Sequence, residues 1–514
     1  MGCGASQATH TQGKYTSQEH QIQSLSTGYF VENRLGEGDF SLFFEPDDAL
    51  SLKHGDFGRF IIAHQRVTKQ VAAIEPIGKA STSRDGLEKH MSILRSLGHP
   101  NITRLKEVCE DEASYYLAFE FCIGGGLMEA VEERCMRQPA DAVLVATCAS
   151  FQVLKAVEYM HQKGICHRNL STDAALLHSK DDDLQKWQVV VHDFAHACHF
   201  TKNKRMTEKV NSKEGFRSPE MAAGSGYTQA CDIYSCGAIL CALLFGNPNP
   251  EAGTWRKSLS TAQTLVFRMM TSEAARPTSA ECLEDPFFKT MEDIGRGEEI
   301  SARHLENMQR YCRANKLKKL AIHVSASHLS GPEVLRMKDM FELVDADNSG
   351  QVSLAELKKA MQELMCHGGY RARAAIPQDV ERLMDLLDVD GSATISYPEF
   401  IAAMTDRKHY TTDATCLAVF QIFDTNGDGH INRHELQQAL KSKTFKDLDF
   451  NLFPAIEEVM SSDKDGDGNI DFEEFKAMMR DSASEDVKLL GRTRDPGKAD
   501  LLKKSPQDSW AHRF

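Results

Sequence analysis

The chain has 514 residues, a length that predicts three or four folding units rather than one small domain. It carries 60 lysine and arginine residues against 74 aspartate and glutamate residues, and the formal net charge of −14 argues against a nucleic-acid-binding protein. With 41% hydrophobic and 26% charged residues, the composition is that of a globular protein.

Two further features of the composition bear on the compartment. The longest apolar run, near Ala238–Phe245, is far shorter than the ~18 residues that cross a membrane, and we find no hydrophobic secretory segment at the start. The 14 cysteines lack the paired spacing of a zinc site or a disulfide scaffold. We therefore expect reduced thiols in a cytosolic compartment.

Residues 1–28 are polar and rich in Ser, Gln and Thr, which predicts a flexible arm. The arm begins Met-Gly-Cys-Gly-Ala-Ser, the pattern of N-myristoylation, with a cysteine that can be palmitoylated beside the acceptor glycine. One acyl chain gives only marginal membrane attachment, and a second chain makes the anchor stable. The sequence therefore predicts lipidation at Gly2 and Cys3 and attachment to the cytosolic face of a membrane.

Residues 29–290 alternate β-rich and helix-like segments. This alternation predicts a two-lobed α+β fold of the enzyme type, with the lobes at about 29–123 and 124–290.

Residues 291–333 are expected to form a linker, because they are short of aromatic residues and carry a basic patch at Lys316, Lys318 and Lys319. The tail, residues 481–514, is polar and charged and is expected to be disordered.

Residues 334–480 repeat a helix–acidic loop–helix unit four times, which predicts an all-α domain. The acidic loops span 345–356, 388–399, 424–435 and 463–474. A calcium loop places oxygen ligands at positions 1, 3, 5, 7, 9 and 12, with glycine at position 6 for the turn. Loops one, three and four satisfy this pattern, so we expect them to bind Ca²⁺. Their predicted ligands are Asp345, Asp347, Ser349, Gln351, Glu356, Asp424, Asn426, Asp428, His430, Glu435, Asp463, Asp465, Asp467, Asn469 and Glu474.

Loop two departs from the pattern. Its predicted ligands are Asp388, Asp390, Ser392, Thr394 and Glu399. Position 6 is an alanine, Ala393, which must adopt a positive φ at a cost of about 1 kcal/mol relative to glycine. We expect loop two to be the weakest of the four sites.

The helices that flank the loops carry apolar stripes at helical spacing. One stripe enters loop one and another leaves loop four: Val334, Met337, Phe341 and Val344; Phe472, Phe475, Met478 and Met479. Such stripes form the core, and in calcium sensors they also become a groove for a target helix. The position-8 residues Val352, Ile431 and Ile470 are expected to join paired loops through short β-bridges.

Residues 29–290 resemble a protein kinase in the order and spacing of their motifs. The motifs are Val71-Ala72-Ala73-Ile74-Glu75, Gly98-His99-Pro100-Asn101-Ile102, His167-Arg168-Asn169-Leu170, Asp193-Phe194-Ala195, Ser218-Pro219-Glu220, Cys231-Asp232-Ile233-Tyr234-Ser235-Cys236-Gly237 and Arg276-Pro277. Together with the linker and the four calcium loops, residues 29–480 resemble a calcium-dependent protein kinase of the plant and protist type. The resemblance implies EF-hands, Ca²⁺, ATP and Mg²⁺, and a linker that the EF-hands capture when calcium rises.

Several positions depart from the kinase pattern. Glu75 occupies the position of the lysine that holds the nucleotide phosphates, and a carboxylate there repels them. His90 occupies the position of the helix glutamate that pairs with this lysine, so we expect a Glu75–His90 pair of reversed polarity.

In the catalytic loop, Asn169 replaces the aspartate base, Ser171 replaces a lysine, and Ala174 replaces the asparagine that holds the second metal. Asp193 remains as a ligand for magnesium, although Ala195 replaces the glycine of its motif. Because such residues act as a unit, the surviving aspartate does not rescue the reaction. We therefore predict a pseudokinase.

The glycine-rich loop has two alternative registers. In the first register, Gly36–Ser41, the first two glycines of the pattern are present and the third is lost. In the second register, Gly55–Gly58, the first glycine is lost, and Glu45–Asp48 would be an insertion. Both registers bring acidic residues to the phosphate position and argue against tight binding of ATP and Mg²⁺. The scaffold positions are retained: His167, Arg168, Glu220, Asp232 and Arg276.

Three hypotheses follow. The main one is a membrane-anchored calcium sensor whose pseudokinase domain acts as a scaffold or allosteric regulator. The alternative is a calcium-dependent Ser/Thr kinase with weak or unconventional phosphotransfer through Asp193. The third is a calmodulin-like module that captures its own linker, Arg303–Ile322, through the apolar positions Leu305, Met308, Cys312 and Leu320.

Overall fold

The structure is a computed structural model, and most of the chain between residues 60 and 480 is described. The described residues are 36–37, 44–47, 60–66, 69–178, 184, 187–202, 204–249, 259–289, 300, 302–329, 332–347, 349–367, 380–389, 391–424, 426–441, 460 and 462–480. The predicted lipidation sites Gly2 and Cys3, the calcium ligand Asp390 and the tail at 481–514 lie outside these residues.

The first lobe is built on a six-stranded sheet within the described residues. Its strands are β1 (Gly36–Glu37), β2 (Phe44–Pro46), β3 (Ile61–Gln65), β4 (Val71–Gly78), β5 (Leu105–Glu110) and β6 (Ser114–Glu120). The spatial order is β1-β5-β6-β4-β3-β2, and all neighbours are antiparallel except β1 and β5. Strand β4 lies inside the sheet and places Glu75 opposite Leu117 of β6.

One helix, α1 (Arg84–Ser96), packs against this sheet. Ser83 caps its N-terminus by accepting a hydrogen bond from the Gly86 N–H. The helix buries Leu87, Met91 and Leu94, which recur at helical spacing and join the core that the two lobes share.

The strand pairing distinguishes the two registers of the glycine-rich loop. Strands β2 and β3 are antiparallel neighbours, and the chain that connects them includes Gly55–Gly58, which lie outside the described residues. Gly36 and Glu37 instead pair with β5 at the other side of the sheet, so the first register is wrong. The expected insertion at Glu45–Asp48 is also wrong in part, because Glu45 and Pro46 belong to β2. Proline is tolerated there because β2 is an edge strand.

The second lobe is mainly helical. Its helices are α2 (Leu127–Arg137), α3 (Ala142–Gln162), α4 (Pro219–Ala223), α5 (Ala230–Phe245), α6 (Ser260–Met269) and α7 (Ser279–Leu283). Short strands bring the functional loops together: β7 (Gly125–Gly126), β8 (Ile165–Cys166), β9 (Ala175–Leu177), β10 (Val189–Val191) and β11 (Cys198–His199). Strands β10, β9 and β7 form one sheet, and β11 pairs with β8.

Helix α3 corrects the expectation that no segment is apolar enough to cross a membrane. With the turn before it, Pro139–Gln162 is long and apolar enough by length and composition. However, 67% of its most apolar window is buried inside the structure, where α3 packs against α5. The helix is therefore the central core element of the second lobe.

The linker and the calcium-loop region form a second core. The linker holds α8 (Ala302–Arg313) and α9 (Lys316–His328), and the repeats hold α10 (Pro332–Val344), α11 (Leu354–His367), α12 (Val380–Leu387), α13 (Tyr397–Met404), α14 (Arg407–Tyr410), α15 (Asp413–Phe423), α16 (Arg433–Lys441) and α17 (Phe472–Arg480). The predicted linker positions Leu305, Met308, Cys312 and Leu320 are buried in the same cluster as Phe341 and Phe475. A β-sheet lobe, a helical lobe and a helical calcium-loop domain together confirm the predicted α+β fold.

Candidate functional site

A cavity lies between the two lobes, where a kinase holds its nucleotide. Four phenylalanines line it, Phe60, Phe119, Phe121 and Phe194, together with the carboxylates of Glu75, Glu120 and Asp193. The described lining residues include no lysine and no arginine. The described part of the cavity wall therefore offers apolar surface and negative charge, and it holds no lysine or arginine for a phosphate group.

Glu75 reaches the cavity from strand β4, and 6% of it is exposed. His90 is half-buried on helix α1, which packs on the same lobe. The expected Glu75–His90 pair of reversed polarity stays a prediction.

In the catalytic loop, the side chain at the position of the base is hydrogen-bonded within the protein. The Asn169 amide donates a hydrogen bond of 3.0 Å to the Asp193 carboxylate, where a kinase would present its base. An amide is far too weak a base to take up a substrate proton, whatever its hydrogen bonds. Ser171 and Ala174 are buried beside it, so the replacements leave neither a cation nor a metal ligand at these positions.

Asp193 is held in a left-handed backbone conformation with φ 64°. Such a conformation is strained for a residue with a side chain, and it persists only where the surroundings enforce it. Here the turn before Phe194–His196 and the bond from Asn169 fix it. The Asp193 carboxylate thus lies at the cavity, whereas the neighbouring catalytic-loop residues differ from those of a kinase.

The scaffold around the loop is intact. The two carboxylate oxygens of Asp232 accept the backbone N–H groups of His167 and Arg168, each at 2.8 Å. Arg276 and Glu220 form a buried, bidentate ion pair, and the hydrogen bonds from Arg276 help to lower the pKa of Glu220 against the effect of its burial. These contacts preserve the backbone shape of a kinase while the reacting groups differ.

Two ion pairs on the activation segment were not found from the sequence. Arg168 donates to Glu208 at 2.7 Å, and Lys213 pairs with Asp173 of the catalytic loop at 2.5 Å. Both pairs join residues about 40 positions apart, and no local pattern marks such partners. The second pair holds the exposed Lys213 side chain against the catalytic loop.

The residues at the cavity differ from the set with which a kinase holds ATP and magnesium. Triphosphate binding in a kinase uses a lysine and two metal ligands, one of them the asparagine of the catalytic loop. Of that set only Asp193 remains, and Glu75 adds a charge of the wrong sign.

The calcium loops share one hydrogen-bonding pattern. In each loop the N–H of position 6 donates to the carboxylate of position 1, from Gly350, Ala393, Gly429 and Gly468, at 2.7 to 2.9 Å. The position-12 glutamate accepts the N–H of position 9 at 2.8 to 3.0 Å in every loop. The chain itself therefore holds the acidic side chains around one centre.

The ligand atoms are close enough for one ion. One carboxylate oxygen each of Asp345, Asp347 and Glu356 lies within 4.8 Å of the others, and the same holds for Asp463, Asp465 and Glu474. Three converging carboxylates in a glycine-turned loop fit calcium, a hard cation that prefers oxygen ligands.

Loops one and two, and loops three and four, pair as expected. Val352 faces Ile395 in the bridge between β12 (Gln351–Val352) and β13 (Ile395–Ser396). Ile431 faces Ile470 between β14 (His430–Asn432) and β15 (Asn469–Asp471). The prediction that position-8 residues join paired loops is confirmed.

Loop two adopts the same turn as the other loops, with a strained alanine at position 6. Ala393 has φ 63°, as its position requires, and its N–H donates to Asp388 at 2.7 Å. Ser392 Oγ is bonded to Thr394, and Thr394 Oγ1 donates to Gln351 of loop one at 2.9 Å. The described residues of loop two therefore keep the loop conformation, with weaker ligands and a strained turn.

Loop one lies against the kinase-like lobe. Gly350 is packed so closely that a Cβ on it would meet the Tyr159 ring at 2.5 Å. Asp345 is buried in this contact, and the burial raises its pKa to about 7. Calcium ligation at loop one is therefore physically adjacent to helix α3.

A buried charge cluster extends this contact. Glu342 of α10 lies 3.4 Å from Lys155 of α3 and 3.4 Å from Lys338 of its own helix. Arg104 stacks over the Tyr397 ring, with its guanidinium carbon 5.8 Å from the ring centre, and donates to the Ala326 carbonyl. The calcium-loop domain is thus joined to the kinase-like lobes through charged and aromatic contacts.

The fold and the sites together define a protein with a kinase domain followed by paired EF-hands. The model of the protein kinase domain matches residues 50–328, and the model of the EF-hand domain pair matches residues 335–405 and 413–480.

The chain belongs to the calcium-dependent protein kinase family. It is 30% identical to calcium-dependent protein kinase 33 of Arabidopsis thaliana, over 88% of this chain and 87% of the relative. It is 32% identical to calcium-dependent protein kinase 21 of the same plant, over 84% and 82%. Calcium-dependent protein kinase 3 of Plasmodium berghei (strain Anka) is 27% identical, over 84% and 79%. The predicted family is thereby confirmed, and its EF-hands imply calcium binding. Its kinase domain implies ATP and Mg²⁺ as cofactors, which counts against the expectation that they bind poorly.

Proposed function

We propose that this protein is a calcium sensor whose kinase domain has lost ordinary phosphotransfer and acts as a scaffold or allosteric regulator. The observation that carries the proposal is the Asn169–Asp193 hydrogen bond beside a cavity with Glu75 in its wall. The base position holds an amide, the phosphate-binding position holds a carboxylate, and the second metal ligand is Ala174.

These losses act on one transition state. A positioned base, a phosphate-holding cation and the metal ions contribute jointly to phosphoryl transfer, and their effects are not additive. By contrast, the contacts of Asp232 and the Arg276–Glu220 pair keep the domain folded. A folded domain without its reacting groups suits binding and regulation.

The second candidate is a calcium-dependent Ser/Thr kinase with weak or unconventional phosphotransfer. The relatives favour this reading, because each of those named above is called a protein kinase. Asp193 and the cavity between the lobes also survive. Under this reading ATP and Mg²⁺ bind, and Asp193 is the group that the reaction needs.

Phosphotransfer by the full-length protein in calcium separates the two candidates. With radiolabelled ATP, we expect no label on the protein itself or on a generic Ser/Thr substrate. Asn169→Asp alone should restore nothing, because Glu75 and Ala174 remain. Transfer by the wild type that Asp193→Ala abolishes would refute the pseudokinase and establish the second candidate. Thermal unfolding with ATP, with and without Mg²⁺, measures nucleotide binding separately.

We also propose that the protein is attached to membranes through acyl chains on Gly2 and Cys3. Gly2→Ala should release it completely, and Cys3→Ser should weaken its retention, since one chain holds only marginally. Membrane flotation of the acylated protein measures both variants. A wild-type protein that stays wholly in the soluble fraction would contradict the anchor.

We propose further that the EF-hands hold the linker in a calcium-dependent manner. The support is the burial of Leu305, Met308 and Leu320 in the core that contains the EF-hand helices. Protection of Arg303–Ile322 from protease should therefore require calcium. Equal cleavage with and without calcium would contradict it.

A further inference from the structure

Four potential metal ligands meet inside the second lobe, away from the cavity and the calcium loops. They are His161 at the end of α3, Cys166 in β8, and Cys231 and Asp232 at the start of α5. Both cysteines and Asp232 are fully buried. Two segments of the chain, residues 161–166 and residues 231–232, thus bring together two thiols, one imidazole and one carboxylate.

Three of these groups lie close together, and Cys231 adjoins them, with its Sγ 4.0 Å from Asp232 Oδ1. Cys166 Sγ lies 3.6 Å from Cys231 Sγ, and His161 Nε2 lies 3.1 Å from Asp232 Oδ2. One ligand atom each of His161, Cys166 and Asp232 lies within 4.8 Å of the others. With zinc–sulfur bonds of about 2.3 Å, two sulfurs on one tetrahedral ion are about 3.8 Å apart. The sulfur pair is therefore already near its ligating separation.

The carboxylate can bind a metal without giving up its scaffold role. Each Asp232 oxygen accepts one backbone N–H, from His167 or from Arg168. A carboxylate oxygen has two lone pairs, so Oδ1 keeps one besides its backbone bond, whereas the second lone pair of Oδ2 faces His161 Nε2, a contact that the metal would replace. These backbone hydrogen bonds also hold the carboxylate in one orientation, as hydrogen bonds to a metal ligand commonly do.

We propose that His161, Cys166, Cys231 and Asp232 bind one Zn²⁺ ion in a tetrahedral, structural site. Zinc takes nitrogen, sulfur and oxygen ligands, and structural sites are closed by four protein groups. The ion would tie α3 and α5 to the strand that enters the catalytic loop. This site is independent of whether the domain transfers phosphate.

The binding step exchanges protons for the metal. Two neutral thiols each lose a proton as they form a bond to Zn²⁺, and His161 binds through the neutral Nε2 atom. Zinc loading should therefore strengthen as the pH rises.

The test measures metal content in the full-length protein, produced without a histidine tag and saturated with calcium so that the EF-hands are occupied. Elemental mass spectrometry should find one zinc per chain. Cys231→Ser should remove it, whereas the matched control Cys241→Ser should keep it. Cys241 is a buried cysteine on the same helix, α5, and lies outside the group of four.

Cobalt as a probe locates the metal by its ligands. Co²⁺ in place of zinc should give a thiolate-to-cobalt charge-transfer band and the intense visible bands of tetrahedral cobalt. His161→Gln should change the visible bands and keep the charge-transfer band. If Cys231→Ser fails to fold, the wild-type and His161→Gln spectra still decide the question.

Three results would overturn the proposal. The first is protein that contains no zinc and shows no thiolate–cobalt band. The second is zinc that persists in a folded Cys231→Ser variant. The third is a disulfide between Cys166 and Cys231 in protein prepared under reducing conditions, because a disulfide leaves no thiolate for the metal.

Discussion

Glu342 sits between two lysines where the EF-hand domain meets the second lobe, and its charge should control that contact. The side chains of Lys155 and Lys338 are 4% and 5% exposed, and that of Glu342 is 28% exposed. The substitution Glu342→Gln keeps the shape and removes the only negative charge of this triad. Two ammonium groups are then buried side by side without it.

The size of the effect follows from the cost of an uncompensated buried charge. Removing one partner of a buried pair destabilises a protein by about 3–5 kcal/mol. Because Glu342 is partly exposed, we expect the lower end, about 3 kcal/mol, or roughly 100-fold in the equilibrium between docked and undocked domains. An exposed pair gives the contrast, since such pairs contribute about 0–1 kcal/mol.

Hydrogen exchange of the full-length protein measures the contact directly. In Glu342→Gln the amides of α10 and of residues 98–101 should exchange faster, since these segments face each other across the contact. The control is Glu381→Gln, which breaks the exposed pair between Glu381 and Lys358 in the EF-hand domain. If Glu342→Gln behaves like this control, the charge cluster does not hold the domains together.

The same carboxylate predicts a pH dependence. Burial alone would raise the pKa of Glu342, but Lys155 and Lys338 outweigh it and hold the pKa at about 2, below the ordinary 4.5. A carboxylate with a lowered pKa stabilises the folded state fully above pH 4.5, and this contribution is lost as the pH falls towards 2. Thermal unfolding of the wild type should lose stability across that window more steeply than Glu342→Gln. If stability falls equally with pH in the wild type and in Glu342→Gln, the lowered pKa of Glu342 is contradicted.

Three further predictions concern the EF-hands and the scaffold. Glu474→Gln should weaken calcium binding in calorimetry far more than Glu399→Gln, because loop four is the stronger site, and equal losses would contradict this ranking. Ala393→Gly should strengthen the calcium affinity of loop two by up to about fivefold, since it relieves about 1 kcal/mol of backbone strain; an unchanged affinity would show that the strain does not limit binding. Arg276→Met should lower the free energy of unfolding by about 3–5 kcal/mol by leaving Glu220 buried without its partner, which urea unfolding can check.

The sequence was sufficient where a motif fixes geometry over a few residues. The calcium loops are of this kind, because spacing within 12 residues determines which carboxylates converge, and the place of Ala393 in its loop is enough to require a positive φ. The kinase motifs likewise identified Glu75 and Asn169 as replacements, because each lies at a fixed offset from its neighbours.

Contacts between distant segments could not be read in this way. The expectation that the cysteines are scattered holds along the chain, yet folding brings Cys166 to 3.6 Å from Cys231 across 65 positions. The pair of Lys155 and Glu342 joins helices of different domains and leaves no periodic signal. The glycine-rich loop was ambiguous because a glycine pattern marks a turn and does not say which strands flank it.

Helix α3 has a consequence for the synthesis of the protein. Its main packing partner is α5, which ends 83 residues further along the chain. At about 5–20 residues per second, the ribosome takes roughly 4–17 s to complete α5 after α3. During this interval a segment apolar enough for a membrane is without its main partner. The nascent chain should therefore depend on chaperones at this stage, and mutations that loosen α5 should reduce the yield of protein more than its activity.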